Sequence, residues 1–198
     1  MPALHRASTW SKLGSVMKNL VIILLACPCL LCSCTTNAGK TVNNAEGRKR
    51  LKEQATEIAN AVVAEDFETV ADMTYPKCIE MMGGREHIIA SQKQMRGETL
   101  ASGGSIQIER VDNPGEIVES RSVFYSYVPV VARILRPMPK QVYLMKAIYI
   151  AVSLDKGNTW KFIDDAGIPM REIYKQMIPN WPSNLALPPK EVPTRIEE

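Results

Sequence analysis

The sequence predicts an α+β domain, with N-terminal helices packed on a curved, four-stranded antiparallel sheet. Three features carry this expectation. Residues 46–97 place apolar side chains at helical spacing, residues 105–132 alternate them at strand spacing, and residues 140–165 read as a hairpin with a long first arm. In that arm Val142, Leu144, Ile148, Ile150 and Val152 share one face, and Tyr143, Met145, Ala147 and Tyr149 the other. Side chains alternate along a strand, so both faces are apolar and both need cover, which puts the arm at the centre of the sheet. Asp155-Lys156-Gly157-Asn158 supplies the turn, and the return arm runs through Trp160 and Phe162.

In chain order, residues 1–33 read as a targeting segment. Lys12 and Lys18 precede an apolar run from Leu20 to Cys32 that is 13 residues long and contains Pro28. Such a run is too short to cross about 30 Å of hydrocarbon as a helix, and suits a signal-peptide core. Met17-Lys18-Asn19 makes a compact start of its own, so residues 1–16 can be an over-extended start. The run ends in Leu31-Cys32-Ser33-Cys34, followed by small polar residues. This resembles the bacterial lipobox, which implies cleavage before Cys34, a lipid on its sulfur, and a palmitate-type acyl group on the new amino terminus. Simple secretory cleavage and an uncleaved anchor are the other readings of the segment. Cys27, Cys29 and Cys32 as metal ligands or disulfide partners would need downstream partners. With Cys34 lipidated, only Cys78 remains, so the fold has to hold by its core alone.

Residues 34–45 are small and polar and read as a tether. In residues 46–65, Leu51, Ala55, Ile58, Ala59, Val62 and Val63 form one stripe of a helix, opposite a charged face. Asp66 can cap a short helix at 67–73, which Tyr75-Pro76 ends. Residues 77–82 make another turn or two before Gly83-Gly84, and a helix at 85–96 buries Ile88, Ile89 and Met95 before Gly97. Residues 105–111 are a strand with one wet face, and Asp112-Asn113-Pro114-Gly115 is a turn. Residues 116–132 read as one long strand in which Pro129 cannot donate to a ladder, so it marks a bulge or an edge. Residues 170–178 suit a short helix. The domain therefore spans 46–178, and residues 179–198, rich in proline, read as an extended or disordered tail.

Charge narrows the function classes. Three of the 24 basic residues, and no acid, lie in the first 34 positions, so the remainder balances its 21 acidic residues. No global field draws the domain to nucleic acid. There is no nucleophile elbow, zinc-protease helix, paired-cysteine, phosphate-loop or dinucleotide motif, and beyond residue 34 His87 is the one histidine, so neither a cofactor nor a metal is expected.

The order of elements resembles the nuclear-transport-factor-2-like superfamily, the cone-shaped fold of ketosteroid isomerase and scytalone dehydratase. The carriers are Ala64-Glu-Asp-Phe-Glu-Thr-Val-Ala-Asp72, a short helix after a long one; Gly83-Gly84 before another helix; and Gly157-Asn-Thr-Trp-Lys-Phe-Ile-Asp164 closing the sheet. Other α+β folds with a helical lead, cystatin-like in the broad sense, share the pattern. The resemblance implies an interior that binds an apolar ligand or hosts acid–base chemistry, and pairing into a homodimer through the open face of the sheet.

Candidate pocket residues are Asp72, His87, Tyr125, Tyr143, Tyr149, Trp160 and Asp164. Each has a plainer reading: His87 as exposed surface, the tyrosines as packing, Asp164 as a turn carboxylate. Asp164 and Asp165 are neighbours on a strand, so they point to opposite faces. The expectation is a non-catalytic envelope lipoprotein. It would sit on the periplasmic side of the outer membrane in a two-membrane organism, and bind a small apolar ligand or an envelope protein. The alternative is a cofactor-independent isomerase, dehydratase or hydrolase. Because one cysteine would carry the anchor, Cys34→Ala should abolish labelling with radioactive palmitate and release the protein from membranes on fractionation. Label persisting on the variant would refute the lipobox reading.

Overall fold

Residues 38–137, 140–166, 172–178 and 180–196 are described in a computed structural model. The expected signal segment and Cys34 lie outside them. The chain opens with a short strand, β1 (Lys40–Val42), and a long helix, α1 (Ala45–Ala64). Three helices follow: α2 (Phe67–Met73), α3 (Pro76–Met81) and α4 (Arg85–Ala101). Five strands come next: β2 (Ser105–Val111), β3 (Ile117–Ser120), β4 (Val123–Pro137), β5 (Lys140–Ser153) and β6 (Lys161–Asp164). Helix α5 (Glu172–Met177) and strand β7 (Thr194–Ile196) close the chain. Among the described residues no helix is long and apolar enough to cross a membrane.

Local chemistry sets the helix ends. Asn44 caps α1 by accepting from Gly47 N at 2.7 Å, and Asp66 caps α2 by accepting from Thr69 N at 3.1 Å. Pro76 opens α3 at a position that has no helical partner for an N–H anyway. Gly83 and Gly84 both take positive φ, 91° and 98°, and turn the chain from α3 into α4. Helix α4 does not stop before Gly97 as its sequence suggests, but continues to Ala101. A single glycine costs a helix interior about 1 kcal/mol, too little to end it.

Among the described residues the sheet has seven strands rather than the expected four, and it is an open antiparallel sheet. Its spine is the ladder of β4 and β5, in register from Phe124↔Ser153 to Pro137↔Lys140. Toward one end β3 and β6 flank this pair, with β1 beyond β3; toward the other, β2 pairs β4 and β7 pairs β5. The expected long strand at 116–132 is instead a hairpin. Arg121 and Ser122 both take left-handed φ, 50° and 66°, and reverse the chain between β3 and β4. Neither is glycine, asparagine or aspartate, so the turn leaves no compositional mark. Pro129 sits where β4 changes neighbour, between the last β2 pair, Val111↔Val130, and the first β3 pair, Val118↔Tyr125. Its carbonyl still accepts from Asp112 N at 2.9 Å. The two remaining extra strands come from segments read as tether and tail. β1 pairs β3, and Asn184 clasps Gly39 through two 2.8 Å hydrogen bonds.

The half of the ladder that carries residues 148–153 is covered on both faces. On one, Leu51, Ala55, Ile58 and Ala59 of α1 pack on Phe124, Val128, Tyr149, Ala151, Trp160 and Phe162. On the other, Val118, Tyr125, Ile148, Ile150, Val152 and Ile163 lie under Tyr174, Met177, Ile178 and Leu185. Trp181 stacks on Tyr174 at 6.2 Å and leans on Tyr125. The proline-rich segment is thus extended and packed. It occupies part of the sheet face through which the resemblance implies dimer pairing.

Trp160 is 1 % exposed, and its backbone N–H donates to Gln54 Oε1 at 2.8 Å, tying β6 to α1. Its indole Nε1 is buried without a partner, so the ring is held by apolar contact. Trp160→Ala should lower the free energy of unfolding by roughly 3–5 kcal/mol in denaturant titration, because the cavity left behind adds to the lost burial. A loss below about 1 kcal/mol would remove the ring from the core.

Candidate functional site

Between the helices and the first face of the sheet lies a cavity of about 210 Å³. Each wall comes from one inward stripe of one element. Helix α1 gives Ile58 and Val62, α2 gives Val70 with Thr74 just past its end, and α3 gives Cys78 with Met82 just past its end. These pairs are four residues apart, one helical turn, so each pair shares a face. Helix α4 gives Ile88, Ser91, Gln92 and Met95, at i, i+3, i+4 and i+7. The sheet gives Tyr149 from β5 and Phe162 and Asp164 from β6. Tyr149 and Asp164 are register partners across that ladder, and the Tyr149 and Phe162 rings meet edge to face at 6.0 Å. Met82 and Met95 are about half exposed and form part of the rim.

Asp164 is the charged residue in this wall. It keeps accessible surface where it lines the partly open cavity, while protein crowds its carboxyl from the other sides. Burial therefore raises its pKa above the ordinary carboxylate range, and the nearby Asp165 charge adds to the rise. The Ala166 N–H, donating to Oδ1 at 2.9 Å, and the positive charge of Lys190 oppose it. The same burial pushes up the Tyr149 phenol and the Cys78 thiol, each helped by the Asp164 charge. Cys78 is 5 % exposed, and its thiol points to Met82 Sδ at 3.7 Å. It is a protonated, inward-facing thiol rather than a nucleophile.

Asp165, one residue on, faces the other way. Its carboxylate accepts from the Tyr174 hydroxyl and sits 3.4 Å from Lys190 Nζ, which also donates to the Asp165 carbonyl at 2.7 Å. One acid opens on the cavity, and the other fastens the C-terminal segment.

The remaining sequence-derived candidates lie elsewhere. Asp72 is on the surface, where Arg85 grips it at 2.8 Å and pairs with Glu68 as well. His87 is exposed on α4. Tyr125 is buried on the second face beside Trp181, its pKa pushed up to about 12 by burial. Tyr143 lies near the far end of β5, with the Arg136 guanidinium 5.1 Å over its ring and its hydroxyl on Gln141. Trp160 is in the core under α1. So the structure brings Tyr149 and Asp164 together and leaves the other five outside the cavity. Reading the sequence for titratable groups missed Ser91 and Gln92. Their signal was the α4 stripe itself, where two polar residues interrupt an otherwise apolar face.

A larger depression of about 670 Å³ lies between the polar face of α1 and Asn113-Pro114. It is shallow and open, and Lys52 already spans it with a 2.8 Å hydrogen bond to Asn113, so the enclosed cavity is the better site. Among the described residues no group of histidines, cysteines and acids is placed to hold a metal. No protein-family model matches the chain, and comparison with curated proteins and with solved structures found no match.

The raised Asp164 pKa has a signed consequence for stability. Between the ordinary value of 3.8 and the higher pH at which the folded carboxyl ionises, the folded protein keeps a proton that the unfolded chain has released, so this group's contribution falls as pH rises through that window. Asp164→Asn cannot ionise and should remove the loss. In urea unfolding at a series of pH values, the variant should gain on the natural protein from acid toward neutral pH. A difference that stays flat would mean that Asp164 titrates normally.

Proposed function

We propose that the domain is a binding cup for a small apolar ligand, held in the bacterial cell envelope by a lipid on Cys34. One observation carries the ligand-binding part: a partly enclosed cavity, mostly apolar, with few polar groups and one crowded carboxyl. That is the usual make-up of a small-molecule site. Its volume is below the roughly 300–1,000 Å³ of drug-sized pockets, so the ligand is small, near the size of a single substituted ring. The nuclear-transport-factor-2-like reading is supported by the order of helices before sheet and by a cavity lying between them. The lipid anchor rests on Leu31-Cys32-Ser33-Cys34 alone. A protein partner in the envelope, or pairing into a homodimer, would add to this function without replacing it.

A second reading is favoured by one feature, the pairing of Asp164 with Tyr149 in a low-dielectric wall. A carboxyl with a raised pKa beside a phenol that stays protonated is an acid–base arrangement suited to moving a proton on a bound substrate, without a cofactor. That would make the domain an isomerase, dehydratase or hydrolase. Binding is preferred because the residues that complete the wall, Ile58, Val62, Val70, Ile88, Met82 and Met95, supply surface and no further reactive group.

Burying one aromatic ring of about 150–250 Å² gains roughly 4–6 kcal/mol before ordering costs. Single-ring compounds such as toluene should therefore bind with dissociation constants of about 1 mM or somewhat below. In amide NMR titrations the shifted resonances should cluster at Val62, Ile88, Ser91 and Phe162. Ser91→Phe, which fills the cavity, should abolish the shifts while the spectrum stays folded. Shifts scattered over the surface and unaffected by Ser91→Phe would end the cup reading.

A further inference from the structure

We propose that the ligand of this cavity is a small amine, an apolar body carrying a protonated ammonium that docks on the Asp164 carboxylate. The inference rests on the ligand-binding reading and adds the chemical class of what binds.

The hydrogen-bonding balance of the wall points that way. Thr74 donates its hydroxyl to Val70 O at 2.7 Å, and the Cys78 thiol is turned to Met82 Sδ, so these two donors are spent within the protein. The free capacity is mainly acceptor capacity. Asp164 takes one backbone N–H on Oδ1, which leaves most of its lone pairs facing the cavity. Gln92 lies in the opposite, helical wall, and its Oε1 is buried behind that surface with no partner, so it can turn to a donor that enters. Ser91 and Tyr149 offer hydroxyls, which donate or accept as the ligand requires. A ligand that completes this set brings donors, and an ammonium has two or three donors and no acceptor.

Charge makes the same selection. Among the described residues no lysine, arginine or histidine pairs with Asp164. Lys190, whose charge is felt there, has its ammonium on Asp165 on the far side of the strand. The cavity thus holds an acid with no counter-charge inside it. A carboxylate or phosphate ligand would meet like charge, and a neutral alcohol would leave the acid uncompensated. The desolvation of an ammonium opposes its entry, and is offset only where further acceptors surround it; Gln92 Oε1 and the two hydroxyls are those acceptors. The rest of the wall suits a cation's neighbourhood, with Tyr149 and Phe162 rings and the polarisable thioethers of Met82 and Met95. Size agrees too: an apolar cavity of about 150 Å³ accepts benzene, so 210 Å³ leaves room for an aminomethyl group on the ring.

The test is calorimetric and NMR titration of the full chain, near neutral pH, with three probes of one shape: benzylamine, benzyl alcohol and toluene. Benzylamine should bind about tenfold or more tighter than benzyl alcohol, the size of a charge-assisted hydrogen bond over a neutral one. Asp164→Asn should bring benzylamine down to the level of benzyl alcohol without weakening toluene, and Gln92→Leu should weaken benzylamine several-fold while sparing toluene. If toluene or benzyl alcohol equals benzylamine, or Asp164→Asn leaves benzylamine unchanged, the amine assignment is overturned and the cup stands. The amine assignment also fails if benzylamine shifts resonances away from the cavity. If none of the three binds a folded protein, the cup reading fails with it.

Discussion

From Ile148 to Ser153, and in the β4 stretch it pairs with, the β4–β5 ladder has almost no wet face, and most of the fold answers that fact. Alternation puts Tyr149 and Ala151 on one side, and Ile148, Ile150 and Val152 on the other, all buried. A single helical layer covers only one side of a sheet, so the chain has to return to cover the second. It does so with α5 and the segment after it, where Tyr174, Met177, Ile178 and Leu185 take the place that a second helical layer would fill. Asp165 secures the return through Tyr174 and Lys190, and β7 pairs with β5 at the far end. Prolines in this stretch suit a segment that lies across a sheet face rather than joining its ladder over its whole length.

The cavity follows from how the helical layer is broken. Helix α1 is long and unbroken, and except near Ile58 and Val62 the core beneath it is filled. After it the chain is cut short at Tyr75-Pro76 and again at Gly83-Gly84, so α2, α3 and α4 each contribute a few inward residues rather than one continuous stripe. On α4 the residues between Ile88 and Met95 that line the cavity are Ser91 and Gln92, whose polar ends do not fill apolar space. Strand parity then sends Asp164 into the gap and Asp165 away from it. Two adjacent carboxylates acquire opposite roles through a single reversal of direction.

Much of this was legible in the sequence, and what was not shares one cause. Element types from α1 to β6, the Asp66 cap, the central position of residues 140–153 and the 155–158 turn all follow from periodicity and turn chemistry close along the chain. The strand count does not. Arg121-Ser122 turns the chain with residues that carry no turn signature, because the hairpin ladder on either side imposes the positive φ. Lys40–Val42 and Thr194–Ile196 are too short to show a pattern, and are strands only because a neighbour's edge lies beside them. The site divides along the same line. The direction of Asp164 was readable from parity, whereas the cover over Tyr125, as aromatic as Tyr149 but on the opposite face, comes from a C-terminal segment far along the chain. Asp72 and His87 have the right chemistry, yet both sit on the solvent side of their helices, where one residue of phase decides exposure.

Asp164 is also the group that is hardest to explain by stability alone. Tyr149 and Cys78 respond to their surroundings by keeping their protons, and neither is disadvantaged by burial as a neutral group. A carboxyl in the same wall is different, because near neutral pH it must either ionise against the desolvation cost or hold a proton against the solution. Asparagine would keep the hydrogen bond to Ala166 N and avoid both. Asp165 shows what a structural acid looks like in this fold: it is paired with a hydroxyl and a cation and faces packed chain. Asp164 has one backbone N–H and a space. Two acids one residue apart, one satisfied by the fold and one left open, are the contrast on which the proposed site, on the helical side of the sheet, rests.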